Sequence, residues 1–481
     1  MSIEEEKKSD SFAENVVAVS NDDDDFRLLT ADARKAGERA LVRKLDRRLM
    51  PTAVFIYILN YIDRVAVTAA RLQGLEKDLG LTPVQYESIL AILYVTYCPA
   101  QIPSNMILSY ISRPSLYIGA CVVAWGLTSA LTGVKFSFLI TMCRLNECGF
   151  PQAAFYPGVM YLLSRWYTRK ELAVRAAWFY CGLLISNAFG SLIAAGILAK
   201  MQGGAVTMFF GFLTMWPHNT RWLNAAERRL GQVRLAEDAG EADKDSDDLT
   251  IYDGLVLAIK DPKTIIFMFM SCSQLLGLSY INFFPTLTQT LGFNTTITFL
   301  MAAPPWILAS ACCVFNAWHA DRHGERFWHI ASWWWVVILG YIVALSTMAT
   351  GGRYFSLFLM TTGYCGFALT LTWVSNAIPR PPAKRSVAMG LVNGFGNLGN
   401  MMGSYVWSPS YSPQYHQSMI VALCSLVFMR WILIKENKEM DMQEKKLMEG
   451  PGRDRIEEAA RLEGITFEEA MKRRKGFRYL I

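Results

Sequence analysis

Charge is scarce in this chain: Asp, Glu, Lys and Arg together make up 18% of its 481 residues, against about 25% in soluble globular proteins. A wholly water-soluble enzyme is therefore a poor reading. Histidine is scarcer still, with five residues, too few for the several clusters of a membrane di-iron site, so the spacing of His319 and His323 is set aside. The ten cysteines contain no C-x-x-C pair, which argues against a zinc site or a disulfide framework. There is no G-x-x-x-x-G-K-[ST] loop, nucleophile elbow or metalloprotease motif, so neither ATP-driven transport nor hydrolysis by this chain is indicated. Gly394-Phe-Gly-Asn-Leu-Gly399 matches G-x-G-x-x-G but lacks a preceding strand. The acidic first forty residues lack the basic and apolar regions of a signal peptide. No basic stripe interleaved with aromatics suggests nucleic acid, and no cofactor is expected.

What is abundant is apolar sequence, 52% of residues, arranged in long blocks. A bilayer core requires about 20 apolar residues per helix. With that ruler twelve spans are expected, near 49–70, 87–108, 115–134, 136–163, 176–199, 205–216, 265–291, 297–318, 327–348, 354–378, 386–407 and 418–434. The expected organisation is a tail (1–48), a six-helix bundle (49–216), a polar central loop (217–264), a second six-helix bundle (265–434) and a charged tail (435–481). With the amino terminus inside, the short inner loops hold ten Lys and Arg residues against five outside. Positive charge resists translocation, so both termini are expected in the cytosol.

Charge inside a span costs a few kcal/mol or more unless it faces a cavity or a partner. The first span carries Asn60, Asp63 and Arg64 within Tyr57-Ile-Leu-Asn-Tyr-Ile-Asp-Arg64, and Tyr57, Asn60 and Arg64 are its candidate substrate-binding residues. Asn60 and Arg64 share a helical face, with Asp63 beside it. A guanidinium can grip a carboxylate with two hydrogen bonds, and a partly desolvated Asp can titrate. An anion site with a proton switch needs those two groups; the structural alternative is an ion pair locking Asp63 to Arg144 or Arg175. In the fourth span Arg144 and Glu147 lie one turn apart, where their charges can partly neutralise each other. In the eleventh span Asn393, Asn397, Asn400 and Ser404 form a polar stripe facing water, a substrate or another helix. Gly390/Gly394 and Gly399/Gly403 give two G-x-x-x-G spacings there, suited to close helix packing.

Read with its continuation, Ala70-Arg-Leu-Gln-Gly-Leu-Glu-Lys-Asp-Leu-Gly-Leu-Thr82, the first span resembles those of major facilitator transporters. More narrowly, the chain is similar to the fungal anion:cation symporters of the allantoate, nicotinate and pantothenate permease group. Matching stretches include Gln101-Ile-Pro-Ser-Asn105, Phe155-Tyr-Pro-Gly158, Trp318-His-Ala-Asp-Arg322 and Pro379-Arg-Pro-Pro-Ala-Lys-Arg385, over residues 40 to 481. The resemblance implies an all-α integral membrane fold of two six-helix bundles related by a pseudo-two-fold axis, rocking about a midplane cavity. It further implies proton coupling and carboxylate binding at Asp63 and Arg64, with fourth-span assistance, and a gating charge network of Asp321, Arg322 and Arg326. The partners expected are a small organic anion, a proton and the lipid bilayer, for a monomer in the plasma membrane.

Two departures stand out. Aligning the family's R-x-x-x-G-x-x-E-A-x-x-x-P-G pattern on Gly149, Ala153 and Pro157-Gly158 puts Gln152 where a carboxylate belongs and Arg144 one residue early. The sixth span, Ala205 to Trp216, would rise only about 18 Å at 1.5 Å per residue, short of a core of about 30 Å, and the twelfth looks clipped too. The leading expectation is proton-coupled uptake of a small organic anion. Efflux of a secondary metabolite on the same scaffold, or a non-transporting sensor or defective splice product, are the alternatives.

Overall fold

Proline and polar caps set the starts of several helices. In α2 (Pro83–Tyr110) Pro83 occupies the first turn, where its missing N–H costs nothing. Thr82 Oγ1 accepts from Gln85 N at 3.3 Å while Gln85 Oε1 accepts from Thr82 N at 2.8 Å, a reciprocal capping box. The same logic starts a later helix, where Asp261 Oδ1 accepts from Lys263 N at 2.9 Å ahead of Pro262.

The computed structural model describes residues 31–72, 80–111, 114–132, 149–200, 251–323, 327–378, 381–428 and 442. Among them α2 is preceded by α1 (Ala31–Leu72) and followed by α3 (Pro114–Thr132), α4 (Phe155–Ser164) and α5 (Arg169–Lys200). A second series contains α6 (Ile251–Lys260), α7 (Pro262–Gly277), α8 (Phe284–Gln289), α9 (Thr295–His323) and α10 (Phe327–Ser346), then α11 (Thr350–Thr361), α12 (Gly363–Ala377), α13 (Pro382–Val406) and α14 (His416–Phe428). A 3-10 turn, Ser279–Phe283, joins α7 to α8 within one crossing, and Thr362 joins α11 to α12 within another. Five described segments are long and apolar enough to cross a membrane: Glu171–Ile193, Pro262–Gln289, Thr295–His323, Trp328–Ser346 and Thr350–Ala377. The expected sixth span, the first part of the fourth and the carboxyl end of the twelfth lie outside the described residues.

The two series meet through two helix pairs, α5 against α9 and α2 against α13. Small residues make the second contact possible. A Cβ on Gly394 would meet Cys98 O of α2 at 2.6 Å, and one on Gly390 would meet Gln101 O at 2.9 Å. On the other side of α13, Gly396, Gly399 and Gly403 press against Ser271, Cys272 and Ser279. α13 is thus wedged between α2 and the α7 crossing, and its glycines have the packing role expected of them. Gly149, from the fourth-span pattern, rests on α2 at Leu93 O, 2.7 Å from its virtual Cβ.

The bundle has two distinct ends. At the first, Arg175 pairs with Asp46 at 2.7 Å, Tyr167 OH donates to Asp46 Oδ1 at 2.9 Å, and Val174 N donates to Asp321 Oδ2 at 2.8 Å. Burial, and then the neighbouring Asp46 carboxylate, push the Tyr167 phenol well above its ordinary range, so it stays a donor. Arg175 is therefore engaged by Asp46, which closes one of the alternatives for Asp63. At the second end Ser88 Oγ and Tyr405 OH approach to 3.5 Å, and α1 touches α8 and the 3-10 turn. The central loop is not wholly a linker: α6 lies on α2 and α13, with Ala258 buried and Gly254 against Ala383. Lys384 and Asp261, 2.7 Å apart, clamp that junction.

Candidate functional site

Between the two helix pairs lies a cavity lined from both series. Tyr57, Tyr61, Arg64 and Thr68 enter from α1, Tyr94 and Tyr97 from α2, Tyr156 from α4, and Tyr180 and Asn187 from α5. The second series contributes Leu275, Ile281 and Asn282, then Tyr364 and Phe367, then Asn393, Asn397 and Asn400 of α13. The cavity is tight, about 40 Å³. At roughly 10–15 Å³ per water that admits a few waters, and a larger solute only if the walls move apart.

Arg64 is the single formal charge among the described lining residues. Its guanidinium carbon lies 4.7 Å from the ring centroid of Tyr97, 5.0 Å from Tyr61 and 5.9 Å from Tyr94. Each such cation–π contact contributes about 0.5–2 kcal/mol, more where water is excluded. Two of its N–H groups are taken by one oxygen: Nε and an Nη donate to Gln152 Oε1 at 3.3 and 3.1 Å. Among the described residues no carboxylate pairs with Arg64. Gln152 therefore holds the guanidinium in place without cancelling its charge, and rings that cannot neutralise it fix its plane.

Below the cation the wall is aromatic. Tyr57 stacks on Phe179 at 4.6 Å and on Tyr156 at 5.5 Å, and Tyr180 stacks on Tyr364 across the two series at 6.3 Å. Opposite runs the amide stripe of α13. Asn393 Nδ2 donates to Gln101 Oε1 at 2.8 Å, Asn397 Nδ2 to Asn393 O at 2.8 Å, and Asn400 Nδ2 to Asn397 Oδ1 at 3.1 Å. Two buried lining atoms, Tyr156 OH and Asn400 Oδ1, have no partner, and a buried polar group left unpaired costs about 1–3 kcal/mol. A bound solute carrying a negative group, a flat or apolar middle and a polar far edge would satisfy all three surfaces.

Of the residues singled out in sequence, Tyr57, Arg64, Asn393 and Asn397 are brought together here. Asn60 is buried, 3% exposed, with its amide nitrogen unpartnered, but it does not line the cavity. Asp63 occupies the α1 turn beside Arg64; its side chain, together with Arg144, Glu147 and Arg326, lies outside the described residues. Asp321 joins α9 to α5 through Val174 N, whereas Arg322 is exposed and lies over Trp318 at 5.6 Å. The tyrosine cage was not anticipated, although its members on α2, 94 and 97, repeat at helical spacing with Gln101.

A cavity between two helix series, in a chain with five described segments long and apolar enough to cross a membrane, invites comparison with known families. The profile of the Major Facilitator Superfamily matches residues 53–404. The chain belongs to that superfamily. Among its relatives, the MFS-type transporter cnsO of Penicillium expansum is 30% identical, over 84% of this chain and 85% of its own length. A protein of Agrobacterium vitis whose name assigns it to tartrate transport is 26% identical, over 76% of this chain and 84% of its own. A bacterial homolog of the human lysosomal transporter Spinster, solved inward-facing and occupied, superposes with a TM-score of 0.55 at 15% identity. The superposition covers 81% of this chain and 96% of the other. The fold is accordingly the all-α major facilitator fold, and the protein is a multi-pass membrane transporter of small molecules rather than an enzyme.

Proposed function

We propose that this facilitator carries a small organic anion into the cell together with a proton, by alternating access, as a member of the fungal anion:cation symporter group. The observation that carries the reading is Arg64: a cation inside the bundle, caged by three tyrosines, held by a neutral amide and lacking a carboxylate partner among the described residues. A partly buried charge inside a membrane bundle is costly unless something of opposite sign arrives, and a substrate carboxylate is the simplest arrival. Tartrate, in the name of the Agrobacterium relative, is such an anion. Asp63, adjacent in sequence, is the proton-coupling group of this reading, and Arg144 and Glu147 are its fourth-span assistants. The bundles 49–216 and 265–434 are the rocking bodies, with Asp321, Arg322 and Arg326 gating the first end. Both termini are cytosolic and the unit is a monomer in the plasma membrane.

Proteoliposome uptake of a carboxylate panel under an imposed pH gradient tests this. Acid outside should stimulate uptake of at least one carboxylate, Arg64→Ala should reduce it at least a hundredfold, and Asp63→Asn should remove its pH dependence. Acid-stimulated uptake surviving in both variants overturns the reading.

A further inference from the structure

The amide stripe of α13 has a direction that its own contacts fix. Asn397 Nδ2 donates to the main-chain oxygen of Asn393 at 2.8 Å, and a carbonyl oxygen only accepts, so that arm of the Asn397 amide has to be the nitrogen. Its Oδ1 is then turned to Asn400 and accepts from Nδ2 there at 3.1 Å. A flipped Asn400 would set two acceptors against each other. The relay therefore ends on one atom, Asn400 Oδ1. It is sealed from solvent and has no hydrogen-bond partner among the described residues, on a residue that is 8% exposed and lines the cavity.

The other unpartnered lining atom differs in kind. Tyr156 OH is a hydroxyl, which can turn to donate or to accept and so makes no demand on an incoming group, whereas an amide oxygen can only accept. The place of Asn400 relative to the cation is set as well. α2 and α13 run antiparallel, with Gly394 against Cys98 O and Gly390 against Gln101 O. The Arg64 guanidinium stands over Tyr97 and Tyr94, at the level of Gly394 or beyond it toward the second end. Asn400 follows within about 9 Å of helix rise. An acid whose carboxylate and donor stand at opposite ends of an aromatic ring, or of an equivalent chain, bridges such a gap.

We propose that Asn400 is a specificity-determining residue, which selects organic anions that carry a hydrogen-bond donor, a hydroxyl or an N–H, at the end remote from the carboxylate. The carboxylate seats on Arg64 and the donor satisfies Asn400 Oδ1. An anion without a donor leaves that oxygen stranded, and one with an ether or a second carboxylate in its place sets acceptor against acceptor. Discrimination of this kind is strong because the wrong ligand leaves a buried group of the site unpaired. This selectivity presupposes the anion reading above, with Arg64 holding the carboxylate.

Isothermal titration of the purified full chain in detergent tests it with benzoate, phenylacetate and hydrocinnamate, each unsubstituted, para-hydroxylated and para-methoxylated. In at least one series the hydroxy acid should bind about tenfold or more tightly than both others; the methoxy acid keeps the oxygen without the donor, and the unsubstituted acid is smaller, so crowding does not explain the difference. Asn400→Leu should bring the ratios to within about twofold of unity, and Asn400→Asp, which keeps an acceptor, should retain them. Each ratio is taken within one protein sample, so loss of folded material does not alter it, and a purely packing role for Asn400 would weaken all members of a series alike. Binding without preference for the hydroxy acid, a preference that survives Asn400→Leu, or no binding in any series overturns the proposal. The anion reading stands or falls separately, with the uptake assay and Arg64→Ala.

Discussion

Gln152 shows how much one atom can decide. Its Oε1 takes two hydrogen bonds from Arg64, the geometry a carboxylate would also adopt, but without the charge. Gln152→Glu should therefore create an ion pair that competes with the substrate for the guanidinium. The apparent KM for the transported carboxylate should rise at least tenfold at pH 7.5. It should fall back toward the parental value as acid protonates the new side chain, since the neutral acid again resembles the amide. Uptake kinetics at two pH values measure this; an unchanged KM would mean that the substrate does not meet Arg64. Arg64→Lys keeps the charge but loses the planar fork and its stacking on Tyr97, so uptake should persist with kcat/KM lowered at least tenfold. Arg64, Asn393 and Asn397 were legible in sequence because charge and amide inside apolar spans need a reason. The tyrosine cage was not, because a tyrosine in a membrane helix is equally at home in a core, and only the convergence of α1, α2, α4 and α5 shows which hydroxyls face inward.

Among the elements, α13 is constrained on three sides. Its glycines meet backbone on α2 and backbone or short side chains on the α7 crossing, and its asparagines face the cavity between them. Gly394→Val should force α2 and α13 apart at Cys98 O, an overpacking that costs about 1–3 kcal/mol, seen as a lowered Tm in detergent and reduced uptake. Gly351, with open space around its virtual Cβ, is the control: Gly351→Ala should leave Tm within a degree or two. The two G-x-x-x-G spacings announced close packing, but one helix with two spacings does not say which neighbour each serves; the three-dimensional arrangement assigns Gly390 and Gly394 to α2, Gly399 to α7 and Gly403 to the 3-10 turn that follows α7. α6 was missed within the central loop because its ten residues are too few to register as a span, and its docking depends on small contacts at Gly254 and Ala383.

At the scale of the whole molecule, the two ends are held by different chemistry. The first is latched by charge and backbone: Val174 N on Asp321 joins α5 to α9, and Lys384 with Asp261 ties α13 to the start of α7. The second is held by a hydroxyl contact between Ser88 and Tyr405 and by the approach of α1 to α8. Removing one latch should shift the population between conformations by about its energy, roughly 1.5–3 kcal/mol for a hydrogen bond to a charged group. Asp321→Ala should raise the reactivity of a cysteine placed at Asn187, on the cavity wall, toward a reagent applied from the first end by about tenfold. Unaltered reactivity would show that the Val174 contact does not restrain opening.

The narrowness of the cavity has a pharmacological consequence. A slender acid can be enclosed and carried across, whereas one of greater girth could enter the open mouth, seat its carboxylate on the guanidinium and prevent the walls from meeting. Widening a good cargo by successive ring substituents should therefore turn it, at a definable width, from a passenger into a competitive blocker that binds but is never delivered.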